Sequence, residues 1–237
     1  SKASRTWIGY STLEETALQG TVEIVGNHIW GESSFATKHG IAIDLSGANT
    51  YASIHNNRIH DFLNNGGQSA TWGDLVDTCI GIRIDGGASA DIINNDISGF
   101  KDAQRDGEET NVGIGILVID TSSTRIFNNI LHSNYVAGGS STGNTNIHAP
   151  AQNVTIAYNA MRSDGGASLV TGGAANRMTS SSFSTTTKHF LVGTGIYNGA
   201  GHNSGHPDAI YNDRDGSRNE IGPNGGRNYI PNGRTTD

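Results

Sequence analysis

Apolar and polar residues alternate in five short segments of this chain, and each segment carries the same pattern, Ile-x-x-Asn-x-apolar. A period of two is typical of β-strands, whereas helices repeat their apolar positions every three or four residues. The segments begin at Ile24, Ile54, Ile92, Ile126 and Ile156 and carry Asn27, Asn57, Asn95, Asn129 and Asn159. The asparagine recurs after 30, 38, 34 and 30 residues. This spacing indicates stacked repeats in which each unit buries its apolar face against the next.

A second apolar strand precedes several of these segments, at residues 40–44, 81–85 and 115–120, with a weaker copy at 146–149. Each unit is therefore predicted to be strand, turn, strand, asparagine bend, short strand and long loop, with units about 4.8 Å apart. Two properties explain the recurring asparagine. It tolerates the left-handed backbone conformation, and its amide can bond to the asparagine of the next unit.

The repeats Gly-Ile-x-Ile-Asp and Ile-x-x-Asn-x-Ile, over about residues 20–165, resemble those of the right-handed parallel β-helix superfamily, the pectate-lyase-like group. Residues 211–226 are similar to a segment, D-x-D-G-x-R-x-D-I-G-A-x-G-G, that closes many secreted bacterial β-helix proteins. They depart from it at Glu220, Pro223 and Asn224. The resemblance implies an all-β fold, a single-stranded right-handed parallel β-helix (solenoid) with an asparagine ladder. It also implies an extracellular or cell-surface protein that acts on a polysaccharide.

One domain is expected from the 237 residues, because the composition is uniform along the chain. We assign residues 1–20 to an N-terminal edge or cap, 21–165 to the core coils and 190–237 to a C-terminal cap segment. The chain begins at Ser1 and carries no signal-peptide pattern. We therefore expect a mature or trimmed product.

The formal net charge of −7 argues against a nucleic-acid partner, which favours a basic surface. An anionic polysaccharide is still compatible with this charge, because a local patch or bound calcium can reverse its sign. The sequence has no apolar run long enough to insert into a membrane. Cys79 is the single cysteine, so an internal disulfide is excluded, and it is predicted to be a buried apolar residue.

The long loops are expected to leave one side of the solenoid and to carry the function. The loop at residues 100–111 has the densest charge. Elimination from a uronic acid needs a base and a group that neutralises the substrate carboxylate. Lys101 or Arg105 is predicted as the catalytic base, with Asp102 and Asp106 as calcium ligands. The alternative is that these charges are solvated and weakly paired.

Substrate contacts are predicted on the same loops. Trp72 offers an aromatic face to a sugar ring, or else fixes its loop against the solenoid. The other predicted substrate-binding residues are Asp74, Asp77, Gln104 and Tyr135. Trp7 and Trp30 are expected to pack near the amino end.

Paired carboxylates suggest a hydrolase instead. The candidate pairs are Asp74 with Asp77 and Asp85 with Asp120. Asp44, Asp85 and Asp120 end equivalent strands, so they either stack, and then repel or bind a cation, or each bonds its own turn backbone.

Asp213 and Asp215 resemble the start of a calcium loop, D-x-D-G, and are predicted as metal ligands. The glutamate that ends a full calcium loop is missing, so a hydrogen-bonded cap is the alternative. Calcium is thus the cofactor that the sequence suggests.

Three functional hypotheses follow. The first is a lyase, epimerase or hydrolase of an acidic glycan. The second is a structural or assembly protein, such as an adhesin, spike or filament subunit, because the ends of a solenoid are open β edges that self-associate unless capped. The third is a non-catalytic carbohydrate-binding module that uses Trp72 and Tyr135.

Overall fold

The computed structural model describes several stretches of the chain, namely residues 20–31, 40–64, 78–103, 112–132, 134–137, 145–151, 153–161, 168–171, 206–213, 217–218 and 221–222. Strands dominate them, and their only helical element is one turn of 3₁₀ helix at Ala209–Tyr211. This part of the chain therefore contains no helix with the length and apolarity that a membrane span requires.

The strands recur in the same order in successive units of the chain, which we call coils. In chain order they are β1 (Gly20–Val25) and β2 (His28–Trp30) in coil 1; β3 (Gly40–Ser46), β4 (Thr50–His55), β5 (Arg58–His60) and β6 (Leu63–Asn64) in coil 2; β7 (Thr78–Asp85), β8 (Ser89–Ile93), β9 (Asp96–Ser98) and β10 (Lys101–Ala103) in coil 3; β11 (Val112–Val118), β12 (Ser123–Phe127), β13 (Ile130–His132) and β14 (Tyr135–Ala137) in coil 4; β15 (Thr145–His148), β16 (Val154–Ala157) and β17 (Ala160–Met161) in coil 5; and β18 (Ser168–Thr171) after it.

These strands form four sheets in which all pairs are parallel and neighbours come from successive coils. Sheet 1 has the order β1-β4-β8-β12-β16, sheet 2 β2-β5-β9-β13-β17, sheet 3 β14-β10-β6 and sheet 4 β18-β15-β11-β7-β3. Parallel neighbours cannot be joined by a tight hairpin, so the chain passes once through the other sheets before it returns. The predicted stacked architecture is confirmed as a parallel β-sheet solenoid.

The core is built from isoleucines that stack in register. Ile24, Ile54, Ile92, Ile126 and Ile156 occupy equivalent positions in sheet 1, and all five are buried. In sheet 2, Ile29, Ile59, Ile97, Leu131 and Met161 align in the same way. Because strand side chains alternate between faces, this register places one apolar set inside and one polar set outside.

The predicted asparagine ladder is confirmed in every rung. Each ladder asparagine from Asn27 to Asn129 donates from its backbone N–H and from Nδ2 to Oδ1 of the next, at 2.9–3.1 Å. From Asn57 onward, Nδ2 also donates to an isoleucine carbonyl of sheet 1 at 2.6–2.9 Å. The ladder therefore satisfies polar groups that would be costly to bury alone.

The explanation by left-handed backbone was wrong by one residue. The positive φ angles fall on the residue before each ladder asparagine, namely Gly26, Asn56, Asn94, Asn128 and Tyr158, with values between 56° and 66°. The ladder asparagine is retained for its amide, and its predecessor makes the bend between sheets 1 and 2. Glycine and asparagine accept this backbone conformation readily, which accounts for four of the five bends.

Steric crowding explains why residue 81, in one of the Gly-Ile-x-Ile repeats, is glycine. A Cβ atom on Gly81 would collide with the carbonyl oxygen of Gly115 and would lie 2.8 Å from Cγ2 of Ile97 and 3.0 Å from the Phe100 ring. Phe100 is fully buried and its ring stacks on Phe62 with centroids 5.1 Å apart. The Gly115 carbonyl first, and then Ile97 and the Phe100 ring, leave no room for a side chain here, so the position requires glycine.

Sheet 3 shows where the long loops begin. Strands β6, β10 and β14 lie side by side in parallel, so the segments that follow them leave from one edge. The loops predicted at residues 100–111 and 133–145 thus begin with short strands. Their remaining residues lie outside the described ranges, as does most of the loop at residues 62–78.

The described part of the C-terminal segment (residues 206–213, 217–218 and 221–222) lies along the bend between sheets 1 and 2. The N–H of Gly222 donates to the Asn128 carbonyl at 2.7 Å, and Nδ2 of Asn94 donates to the Gly222 carbonyl at 3.0 Å. Ile221 is buried in a cluster with Ile130 and Ala160. The segment therefore covers the side of coils 3 to 5, and its assignment as an end cap stays a prediction.

Candidate functional site

The candidate site is a set of polar and aromatic residues on the outside of sheet 2, which we call the sheet 2 face. Each sheet 2 strand places its middle residue in the core, so its flanking residues point outward. Register stacks these flanking residues in two rows, His28, Arg58, Asp96 and Ile130 in the first and Trp30, His60, Ser98 and His132 in the second. Ionisable side chains from four coils are thereby brought together.

Asp96 is the least expected residue of this face. Its side chain is only 1% exposed, and the basic groups Nε of Arg58 and Nε2 of His132 each lie 3.7 Å from one carboxylate oxygen. These are ion-pair distances, longer than hydrogen bonds. Within the described part of the chain, neither carboxylate oxygen has a hydrogen-bond partner. Burying a carboxylate without hydrogen bonds costs free energy, so its retention here points to a function.

Polar atoms next to Asp96 also lack hydrogen bonds. Nε and Nη2 of Arg58 and Oγ of Ser98 are also buried without a hydrogen bond among the described residues. Arg58 is 13% exposed and His132 is 21% exposed along their side chains, so both reach from Asp96 toward the surface. Concentrated unsatisfied polar groups are rare in folded proteins and call for a ligand, water or catalytic role.

A chain of three groups lies on the coil 1 side of the same face. Nε2 of His28 lies 2.6 Å from Nε2 of His60, and Nδ1 of His60 lies 2.7 Å from Oδ2 of Asp61. The two imidazole rings stack with centroids 4.8 Å apart. Asp61 has a φ of 59°, a conformation that turns the chain directly after strand β5 and directs its carboxylate back toward His60.

The environment favours a neutral His28. Burial lowers the pKa of His28, and the neighbouring His60 and Arg58 lower it further, while Asp61 and Asp96 partly oppose them. A histidine in its neutral form at physiological pH can accept a proton.

Trp30 corrects a prediction from the sequence. It was expected to pack near the amino end, but it is 52% exposed and its ring lies 4.7 Å from that of His28. An exposed indole beside ionisable groups is a suitable surface for a sugar ring. Trp7 lies outside the described residues.

The C-terminal segment borders this face. Ile130, which is the register neighbour of Asp96, packs against Ile221. The first row of the sheet 2 face is therefore covered by Ile221 at coils 4 and 5, whereas both rows are accessible at coil 1, where His28 and Trp30 are exposed.

The structure places some of the sequence-predicted site residues. Lys101 and Tyr135 occupy neighbouring register positions in sheet 3, and Asp102 is next to Lys101 in strand β10. The other predicted loop residues lie outside the described ranges, namely Trp72, Asp74, Asp77, Gln104, Arg105 and Asp106. The catalytic and substrate-binding roles of all these residues stay predictions.

The predicted calcium ligands are only partly described. The backbone N–H of Asp213 donates to the Ser217 carbonyl at 3.0 Å, and Oγ of Ser217 donates to the Asp213 carboxylate at 3.4 Å, as in a hydrogen-bonded turn. Asp215 lies outside the described ranges. Within those ranges, no group of three His, Cys, Asp or Glu residues is placed to hold a metal ion.

Stacking, one of the two interpretations of the sheet 4 aspartates, is wrong for Asp44 and Asp85. Asp44 is level with Arg83, and Asp85 is level with Ser46, because the two strands are offset by two residues relative to the repeat. Asp85 instead accepts from Nη2 of Arg83 at 2.5 Å and from the Gly86 N–H of its own turn at 2.7 Å. The local turn interpretation is therefore correct for Asp85.

A second polar network, on sheet 1, is structural. Asp91 accepts from Tyr51 Oη at 2.7 Å and from both Nε and Nη2 of Arg125, and Nη1 of Arg125 reaches Tyr211. Burial and the bond to Asp91 raise the pKa of Tyr51 to about 12. Its polar groups bind one another and attach the C-terminal segment, in contrast to those around Asp96.

Sequence reasoning missed the sheet 2 face, although a signal was present. Aligning the triplets that follow the ladder asparagines, His-Ile-Trp, Arg-Ile-His, Asp-Ile-Ser and Ile-Leu-His, places the ionisable residues in two columns. Outward columns of unlike residues in a solenoid mark one continuous surface.

Comparison of this chain with protein-family models, with curated proteins and with solved structures finds no match.

Proposed function

We propose that this chain is a right-handed parallel β-helix of the pectate-lyase-like type, and that it acts outside the cell on an acidic polysaccharide. The parallel coils and the asparagine ladder support the fold. Right-handedness is supported by a general rule, since about 98% of crossovers between parallel strands of one sheet are right-handed. The sheet 2 face supports the function.

The observation that carries the proposal is the juxtaposition of exposed Trp30 with His28 and Arg58 on one face. Trp30 provides an aromatic surface for a pyranose ring. Arg58 retains N–H donors at Nε and Nη2 that have no acceptor among the described residues. A rotation of its partly exposed side chain presents these donors to a substrate carboxylate, which matches two guanidinium N–H groups.

The reaction class follows from these groups. Removal of the proton next to a uronate carboxylate becomes easier when a cation neutralises that carboxylate and a neutral base is nearby. Arg58 supplies the first and His28 the second. Elimination and epimerisation both begin with this step, so the face favours a lyase or epimerase over a hydrolase. Calcium stays a proposed cofactor, through the loop and Asp213 ligands.

The direct test is the ultraviolet absorbance of unsaturated uronate ends, measured with a panel of polyuronates, first with calcium and then with a chelator. Epimerisation is followed in parallel by the incorporation of deuterium from deuterated solvent at the carbon next to the uronate carboxylate. We expect Arg58→Ala to lower kcat/KM by more than about tenfold. Arg83→Ala is the matched control, because Arg83 is ion-paired on sheet 4. Equal loss in both variants, or no product and no exchange with any polyuronate, would overturn the proposal.

A carbohydrate-binding module is the second candidate, and the exposed Trp30 ring favours it. It predicts polysaccharide affinity without product, lost in Trp30→Ala and retained in His28→Asn. Isothermal titration with the same polymers measures this affinity, and the product assay separates the two candidates, because only the enzyme forms product and loses it in His28→Asn.

A further inference from the structure

We infer that Asp61, His60 and His28 form an oriented proton relay, in which His28 exchanges the proton with substrate and the other two are positioning residues. The inference rests on the proposed function for the substrate, and on geometry for the relay. The three groups are joined by two short contacts, 2.7 Å from Asp61 to His60 and 2.6 Å from His60 to His28.

The protonation states follow from what each atom can do. A carboxylate only accepts hydrogen bonds, so Nδ1 of His60 carries a proton and donates it to Asp61. When His60 is neutral, its lone pair lies on Nε2, where it can only accept. Nε2 of His28, 2.6 Å away, must therefore be the donor. This leaves the lone pair of neutral His28 on Nδ1, at the more exposed end of the relay.

The relay gives His28 a way to transfer its charge. When Nδ1 of His28 takes the proton from the carbon next to the uronate carboxylate, the C–H electron pair forms the new C=C bond. The C–O bond to the leaving sugar breaks, its electron pair stays on oxygen, and that oxygen takes a proton from water. His28 passes its Nε2 proton to Nε2 of His60, so the positive charge comes to lie next to Asp61. Water then receives a proton from the relay and restores it.

The surrounding charges support this direction of transfer. A charge on Arg58 or on His60 disfavours a proton on His28, whereas the charges of Asp61 and Asp96 favour it. Asp61 is the group in contact with His60, and a charge at that distance stabilises an imidazolium more than a remote one. Asp61 is thus the residue that determines both the His60 tautomer and the acceptor of the charge.

The chain offers a conservative variant. Asp61→Asn removes the charge while keeping a residue that tolerates the positive φ at this position. Asp208→Asn is the matched control, because Asp208 also lies beside a histidine, with Oδ2 3.6 Å from Nδ1 of His206. His28→Asn identifies the His28 signals by their loss.

The experiment is ¹⁵N nuclear magnetic resonance of the histidine nitrogens across a pH titration, combined with the pH profile of turnover. We expect His28 with the proton on Nε2 and His60 with the proton on Nδ1. We expect Asp61→Asn to lower the pKa of His28 by about half a unit and to move the acidic limb of the kcat profile in the same direction. Asp208→Asn should change neither. His28→Asn should lower kcat by about 100-fold or more.

The outcomes separate the relay from the function. The proton on Nδ1 of His28, or an unchanged His28 titration in Asp61→Asn, overturns the relay. Product formation at full rate by His28→Asn overturns the relay and the role of His28 as the base, and leaves the proposed activity on polyuronates standing. The expected tautomers without product or exchange from any polyuronate support the relay and overturn the proposed function.

Discussion

Nδ2 of Asn57 donates to Oδ1 of Asn95 at 3.0 Å, although 38 residues separate them. Asn95 also accepts from the Asn57 backbone N–H, and it donates to the Ile54 carbonyl and to Asn129. Each rung of the ladder thus depends on both neighbours, and all its members from Asn57 to Asn159 are buried.

Replacing Asn95 with alanine is expected to lower the free energy of unfolding by about 2–4 kcal/mol, because buried donors and acceptors on both sides lose their partner. Chemical denaturation followed by circular dichroism measures it. Asn153→Ala is the control, because Asn153 is exposed, and it should stay within about 0.5 kcal/mol of the parent. Similar values for the two variants would contradict a stabilising ladder.

Replacing Ile92 with alanine is expected to cost about 2–5 kcal/mol, because the side chain is fully buried in the middle of the isoleucine stack. Ile210→Ala serves as the control, since Ile210 is 65% exposed. The same denaturation measurement applies, and a cost below about 1 kcal/mol for Ile92 would disagree with its place in the core.

Tyr51 is expected to make stability fall at high pH. Its pKa is about 12 in the folded protein and 10.0 ordinarily, so the folded chain keeps a proton that the unfolded chain releases. The stabilisation is fully present below pH 10 and is lost as the pH rises toward 12. Thermal unfolding across this range should show a steeper decline for the parent than for Tyr51→Phe. Parallel curves would show that the Tyr51–Asp91 bond does not control the decline.

Gly222→Ala is expected to detach the C-terminal segment. Gly222 has a φ of 109°, and a Cβ there would collide with Cδ1 of Ile130. Gly26→Ala is a matched control, because Gly26 also has a positive φ but has open space around its Cβ position. We expect Gly26→Ala to cost about 1 kcal/mol from backbone strain alone, and Gly222→Ala to cost about 1–3 kcal/mol more from the collision. Limited proteolysis at the C-terminal segment should increase only in Gly222→Ala.

The sequence predicted the stacking because each repeat carries its own local evidence. Ile54 and Asn57 lie within four residues of each other, and the same pair recurs in every coil, so pattern alone indicates the ladder. The left-handed residue was assigned one position too late because residues 56 and 57 are both asparagine. Residue type alone cannot show which of the two has the positive φ.

The candidate site was harder to predict because it depends on register between coils. Arg58 and Asp96 are 38 residues apart and differ in type, so no repeat pattern connects them. The offset of Asp44 against Arg83 has the same origin, since one strand shifts by two residues relative to its neighbour. The catalytic site was predicted on the loop at residues 100–111 because its charges are close together in sequence. The charged residues of sheet 2 are far apart in sequence, and only the stacking of coils brings them together.

The C-terminal segment has a mechanical consequence. Solenoids in which each unit touches only its neighbours can fray from an end, one unit at a time. Here the C-terminal segment contacts Asn94 in coil 3, Phe127 and Asn128 in coil 4, and Tyr158 in coil 5. Separating coil 5 from coil 4 must therefore also break contacts of the C-terminal segment. The C-terminal segment therefore couples coils 3 to 5 mechanically. Under a force along the solenoid axis, these three coils should unfold together and not one at a time.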